Sequence, residues 1–298
     1  MIYYIEVRFC IGQTLFIVPQ AMVTPTQHPI MVIGGAEDKV GKRTILTKFF
    51  DSAGGKLATI GVVPCASQEP SVVGERYRRI FTQLGAKAVQ VLDIRRPGEC
   101  DEDRWLELLD SCTGVFLSGG DQVRLYEFIH SSTFLTTIKK RLHTGTLVLS
   151  GTSAGAAVMG EKMISGGSSG ESPNRSLVDL MDGLGIIPEL LVDQHFHNRN
   201  RMARLMSAIA AHPDKLGIGI DEDTCAAFNG DGTFDVIGKG SITIIDPGEL
   251  THTNYRSSSE ASPLSLHDLK VHVLNEGDRY DYKRRSVCMP SLSSISHV

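Results

Sequence analysis

Thr146-Leu147-Val148-Leu149-Ser150-Gly151-Thr152-Ser153-Ala154-Gly155-Ala156-Ala157-Val158-Met159 runs from an apolar strand through a tight turn into a helix start made of small residues. That order is the context in which a Gly-x-Ser-x-Gly sequence forms a nucleophile elbow, with its serine at the apex of a strand-to-helix turn. Gly151 and Gly155 suit the close backbone approach the turn needs, because a side chain at either position would collide with its neighbours. Ser153 is the candidate nucleophile. The helix start beside it aims amide N–H groups, Ala154 first, at any oxyanion that forms there. The same residues fit a turn that only packs tightly or holds an anion, and the flanking elements favour catalysis.

Outward from the elbow, short apolar runs recur at 30–33, 58–63, 88–92, 114–117 and 146–149, with the length and composition of buried strands. Segments with helical spacing lie between them at 43–50, 73–84, 105–109 and 123–142, the last broken near Ser131-Ser132. Such alternation predicts an α/β fold whose mostly parallel sheet is flanked by helices and carries its site at the carboxyl ends of the strands. Gly34-Gly35 and Gly119-Gly120 fall at those ends. After a helix over 198–211, closely spaced strands at 217–220, 225–228, 234–237, 241–245 and 269–273 predict an antiparallel C-terminal extension of the same sheet. The reading is one α/β domain over 29–283, an N-terminal extension over 1–28 and a flexible tail over 284–298.

The chain has 298 residues, enough for one large domain, and its net charge of -4 leaves no broad basic surface for nucleic acid. Six cysteines without a CxxC pair write neither a zinc cluster nor a disulfide framework, which fits a reducing, cytoplasmic compartment. Glu6 and Arg8 interrupt the apolar start, so Met1 to Met22 reads as neither an export signal nor a membrane span, and Met22 is an alternative start. No membrane association is expected.

A serine needs a base to act near neutral pH. Leu190-Leu191-Val192-Asp193-Gln194-His195-Phe196-His197 again leads from an apolar strand into a polar cluster, with Arg201 and Arg204 following. His195 and His197 share a face if that segment is extended, yet two ligands alone do not make a metal site, and neither metal nor cofactor is expected. Gly217-Ile218-Gly219-Ile220-Asp221-Glu222-Asp223 offers three carboxylates after a buried strand. Glu222 is the choice for the acid that orients the histidine, Asp221 and Asp223 are neighbours suited to hold the turn, and Glu171 is an alternative acid or a substrate contact.

Taken together, Gly34-Gly35-Ala36-Glu37-Asp38-Lys39, Ser118-Gly119-Gly120-Asp121-Gln122, the block from Gly151 to Gly160, the block from Asp193 to Arg204 and Gly219-Ile220-Asp221-Glu222-Asp223-Thr224 resemble cyanophycinases, in the serine peptidase family that also contains aspartyl dipeptidases. The resemblance spans about Pro29 to Tyr282. It implies a single domain similar to class I glutamine amidotransferases (flavodoxin-like), with serine where those enzymes carry cysteine, and a homodimer. The implied substrate is cyanophycin, a polyaspartate with arginine joined to each β-carboxyl, cut to β-aspartyl-arginine dipeptides. It further implies Ser153 as nucleophile, His195 as base, Glu222 as acid, Gly120 and Ala154 at the oxyanion hole, and Gln122, Asp193, Gln194, Arg201 and Arg204 in binding. The order Ser153, His195, Glu222 differs from α/β-hydrolases, which place the acid between serine and histidine. A dipeptidase acting on short aspartyl peptides is the neighbouring alternative, and a non-catalytic, amidotransferase-like binding module is the rival from another class.

Overall fold

The computed structural model describes residues 5–11, 14–20 and 29–288. Near the N-terminus, β1 (Ile5–Ile11) and β2 (Thr14–Gln20) pair antiparallel as a sheet of their own. The extension over 1–28 falls in part on positions outside the described residues (1–4, 12–13 and 21–28), and the tail does so at 289–298.

Five short strands form the parallel sheet: β3 (Ile30–Ile33), β4 (Thr59–Val63), β5 (Ala88–Val91), β6 (Gly114–Leu117) and β7 (Val148–Thr152), in the order β3-β7-β6-β4-β5. Side chains alternate between the two faces of a strand. Ile60, Val62 and Phe116 therefore pack with Phe49 and Phe81 beneath α1 (Thr44–Ser52) and α2 (Pro70–Leu84). Val63, Val115 and Leu117 pack on the other face with Trp105, Leu125 and Leu135 beneath α3 (Asp103–Ser111), α4 (Gln122–Ile129) and α5 (Thr133–His143). The break between α4 and α5 is set by Ser131 at φ 53 and by Ser132, whose hydroxyl accepts from the Leu135 amide and caps α5. Among the described residues no helix is long and apolar enough to cross a membrane.

Beyond β7 come the one-turn helix α6 (Ala154–Ala157) and an antiparallel pair, β8 (Lys162–Gly167) with β9 (Val178–Asp182). Here the structure revises the single-sheet reading. β10 (Leu190–Gln194), α7 (Met202–Ala211) and β11 (Leu216–Ile220) make a strand–helix–strand unit in which β10 and β11 are parallel, Gln194 opposite Ile220. Only β12 (Thr224–Phe228), β13 (Thr233–Gly238), β18 (Arg279–Asp281) and β19 (Ser286–Cys288) continue the large sheet, antiparallel from β3 outward. β14 (Ile242–Asp246) and β17 (Lys270–Leu274) join β11 in a separate four-stranded sheet, and β15 (His252–Thr253) pairs with β16 (Leu266–His267). An apolar run states that a strand is buried but not which strand it pairs with, so the second sheet could not be read from periodicity. Residues 284–288 likewise do not fray: a turn returns the chain so that β19 pairs with β18, moving the end of the ordered domain from 283 to at least 288.

α7 begins at Met202 and not at Asn198. A 3₁₀ turn over His197–Arg199 and the left-handed Asn200 (φ 49) precede it.

Candidate active site

The site forms where the two sheets meet at their strand ends. β7 delivers Ser153, β10 delivers His195 and its parallel neighbour β11 delivers Glu222. Ser153 sits at φ 54, ψ -109, outside the regions where side chains rest easily, and its amide donates to the Ile33 carbonyl at 3.0 Å. The turn closes because Gly151 and Gly155 lack side chains: a Cβ on Gly151 would lie 2.2 Å from the Gly155 carbonyl oxygen. His195 is also left-handed (φ 49), so the segment carrying it is not extended and His195 and His197 do not share a face. They bond different carboxylates, His195 to Glu222 and His197 to Asp221.

Ser153 Oγ lies 3.0 Å from His195 Nε2, and His195 Nδ1 lies 2.6 Å from Glu222 Oε1. Because Nδ1 faces a carboxylate it carries the ring proton, leaving the Nε2 lone pair for the serine hydroxyl. Glu222 is held in turn by its own amide, which donates to Asn198 Oδ1 at 3.0 Å. Burial pushes the His195 imidazolium below its ordinary pKa. The hydrogen bond and charge of Glu222 oppose that shift, while the Arg199 and Arg201 charges add to it. The net effect is a histidine that is a neutral base at neutral pH.

The ring has little freedom. A Cβ on Gly35, itself at φ +100, would sit 2.4 Å from His195 Cε1 and 2.5 Å from Nε2. Gly35→Ala should therefore displace the imidazole and cut turnover about a hundredfold, measured as kcat beside an unfolding curve that shows the variant still folded.

The residues expected to donate to an oxyanion are Ala154 and Gly120. Ala154, first in α6, has no intrahelical acceptor for its amide. The Gly120 amide makes no backbone hydrogen bond among the described residues, and next to it a Cβ on Gly119 would lie 3.1 Å from Ser153 Cβ. Glu171 stands apart: it is exposed and makes no hydrogen bond or ion pair among the described residues. Gln122 spends its amide donors on the Ile164 and Ser165 carbonyls at 3.2 and 2.7 Å, tying α4 to β8, the strand that leads into the loop bearing Glu171.

Asp193 and Arg204 act differently from simple substrate contacts. Asp193 is 1% exposed and accepts two hydrogen bonds from Arg204, Nε at 2.9 Å and Nη2, and one from Arg201 Nη1 at 3.3 Å. Arg201 also donates to the Gln194 carbonyl, and burial pushes its guanidinium down to about 10, still protonated at neutral pH. Arg204 is thus committed to Asp193, while two guanidiniums over one carboxylate leave the cluster net positive. Gln194 is buried with its Oε1 unbonded among the described residues. Asp193→Asn should leave two buried cations without an anion and cost about 3 to 5 kcal/mol, read as a fall in Tm of roughly ten degrees.

Sequence reasoning passed over Asn198, which orients Glu222, and Arg199, whose charge bears on His195. Both stand in the turn between the histidine and α7, in the stretch read as helix. Asp221 and Asp223 do hold their turn. Asp221 accepts from the His197 and Ser241 amides at 2.9 and 3.0 Å, and Asp223 accepts from the Asp38 amide at 2.8 Å and pairs with Lys239. Burial raises the Asp221 carboxyl, but its hydrogen bonds from His197 and Ser241 outweigh that and leave it below the ordinary range.

The chain is 54% identical over 278 residues to the cyanophycinases of Trichormus variabilis and a Nostoc species, a match that covers 93% of this chain and 92% of each relative. It is 52% identical to the cyanophycinase of Geminocystis herdmanii, over 85% of this chain and 93% of the relative. Its fold is similar to that of a crystal structure of a peptidase from an acI-B1 Actinobacterium, with a TM-score of 0.64 at 20% identity, covering 86% of this chain and 98% of that one. The family model described as Peptidase family S51 matches residues 30–236, which takes in the elbow, the histidine turn and the Glu222 strand end. The chain belongs to peptidase family S51.

Proposed function

We propose that this chain is a serine exopeptidase that hydrolyses cyanophycin to β-aspartyl-arginine dipeptides. The observation that carries the chemistry is the continuous line from Ser153 Oγ through His195 to Glu222, at 3.0 and 2.6 Å. The identity to cyanophycinases over nearly the whole chain supports the substrate. His195 Nε2 takes the Ser153 proton as Oγ attacks a backbone carbonyl, and the amides of Gly120 and Ala154 receive the negative charge that develops on the carbonyl oxygen. The imidazolium then gives its proton to the departing amine, leaving an acyl-enzyme. Water, deprotonated by the same histidine, attacks the ester and restores Ser153. Glu222 holds the ring in the working tautomer and stabilises the imidazolium.

Cyanophycin presents a carboxylate and a guanidinium on every unit, so its groove needs both signs. Arg199 and Arg201 suit the carboxylates, the exposed Glu171 suits a guanidinium, and Gln122 and Gln194 suit the amides, with Asp193 and Arg204 as their buried support. The amidotransferase-like, flavodoxin-like form of the domain, its extent from 29 onward, a homodimeric state and a cytoplasmic location belong to the same reading. The test is release of soluble dipeptide from insoluble cyanophycin by the purified protein in the presence of a chelator, alongside short aspartyl peptides. Dipeptide from the polymer supports the proposal. Cleavage of the short peptides alone would make the protein a dipeptidase, and cleavage of neither would leave the binding-module reading.

A further inference from the structure

We infer that Glu37 is a positioning residue for the nucleophile, acting on Ser153 through the hydroxyl of Thr152. The inference rests on Ser153 being the nucleophile of the proposed reaction. Glu37 is 2% exposed, lies outside every proton transfer described above and is separated from Thr152 by 115 positions in the chain. Its Oε2 accepts from Thr152 Oγ1 at 2.6 Å. Its Oε1 accepts from the Tyr77 hydroxyl of α2 and pairs with the Lys39 ammonium at 3.0 Å. A carboxylate is expensive to bury, and an ion pair buried only for stability gains little over apolar residues of the same volume. What the carboxylate adds here is a fixed direction for the Thr152 side chain.

Thr152 is the last residue of β7, and the next residue holds the unfavourable backbone conformation of the elbow, which persists only if its surroundings enforce it. The segment that leads into Glu37 binds two members of the candidate triad and the neighbour of the third. Its Ile33 carbonyl accepts from the Ser153 amide, Gly34 from the His195 amide at 2.8 Å, and Gly35 from the Asp223 amide at 2.9 Å, next to Glu222. Glu37 closes this frame by fastening the loop to the elbow and to α2. Losing the Thr152 bond frees the elbow to relax, moving Oγ relative to both Nε2 and the oxyanion donors.

The test compares wild type, Glu37→Gln, Thr152→Val, Thr152→Ser and the double variant Glu37→Gln/Thr152→Val in two assays. One is the rate at which a fluorophosphonate labels Ser153, in which Oγ attacks phosphorus, fluoride leaves and His195 takes the proton. The other is kcat and KM on cyanophycin. Glu37→Gln and Thr152→Val should each slow labelling and kcat by about 10- to 100-fold while KM stays within about twofold, and the double variant should be no slower than Glu37→Gln. Thr152→Ser, which keeps the hydroxyl, should restore both rates. Wild-type labelling in Thr152→Val, or a lowered Tm with unchanged kcat, would overturn the inference. The Thr152 pair decides it if Glu37→Gln does not fold. A wild type that is labelled but leaves cyanophycin intact would sink the proposed substrate while the labelling rates still decide the role of Glu37.

Discussion

Ser153→Ala is expected to lower dipeptide release from cyanophycin by at least about 10⁴-fold, because a serine that works as a unit with its histidine cannot be replaced by the residual electrostatics of the site. Alanine retains the backbone amide that donates to Ile33, and the hydroxyl's hydrogen-bond partner in the structure is His195, so the fold should survive. The variant should still sediment with cyanophycin granules, since the guanidiniums and amides of the groove are untouched. The measurement is chromatographic detection of the dipeptide over time, with an unfolding curve for both proteins. Activity above about one per cent of wild type in the variant would remove Ser153 from the nucleophile's role and return the elbow to a packing turn.

How much of this was legible in the sequence depends on how local each feature is. The elbow was legible because its glycines, its apolar strand and its small-residue helix start are contiguous, and their chemistry demands that order. The parallel strands and the break at Ser131-Ser132 were legible for the same reason. The second sheet was not, because β10 pairs with β11 across an intervening helix while β12, only three residues further on, crosses to the other sheet. Pairing is decided by burial on both sides, which a strand's own residues do not encode.

Side-chain commitments were equally hidden. Asp193, Arg201 and Arg204 read as groove charges because residues so polar avoid cores, yet they pack as a buried cluster in which Asp193 and Arg204 are committed to each other and Arg201 is held on Asp193 and the Gln194 carbonyl. Glu37 stood in a recognised block but had no visible task, since its partner Thr152 is far away in the chain. The choice between Glu222 and Glu171 could not be made from spacing either. Glu222 reaches His195 because two parallel strands end in register, Gln194 beside Ile220, which fixes the turns that follow them side by side.

That register makes the second large effect specific to one carboxylate. Glu222→Gln keeps the shape but can place an amide N–H against His195 Nδ1, which favours the tautomer whose Nε2 carries the proton and cannot accept one from Ser153. A loss of about 10³- to 10⁴-fold in kcat is expected, in line with the equivalent change in other serine triads. The pH profile supplies the sign. Burial lowers the His195 pKa and Glu222 partly restores it, so the wild-type acid limb of kcat/KM should lie below the ordinary histidine value of about 6.5, and removing the carboxylate should move the limb lower still. Glu171→Gln, on an exposed side chain with no bond to the histidine, should leave both kcat and the limb in place and act on KM alone. If instead Glu171→Gln abolishes turnover and Glu222→Gln does not, the acid belongs to the loop between β8 and β9, and the loop must close over the site for the reaction to proceed.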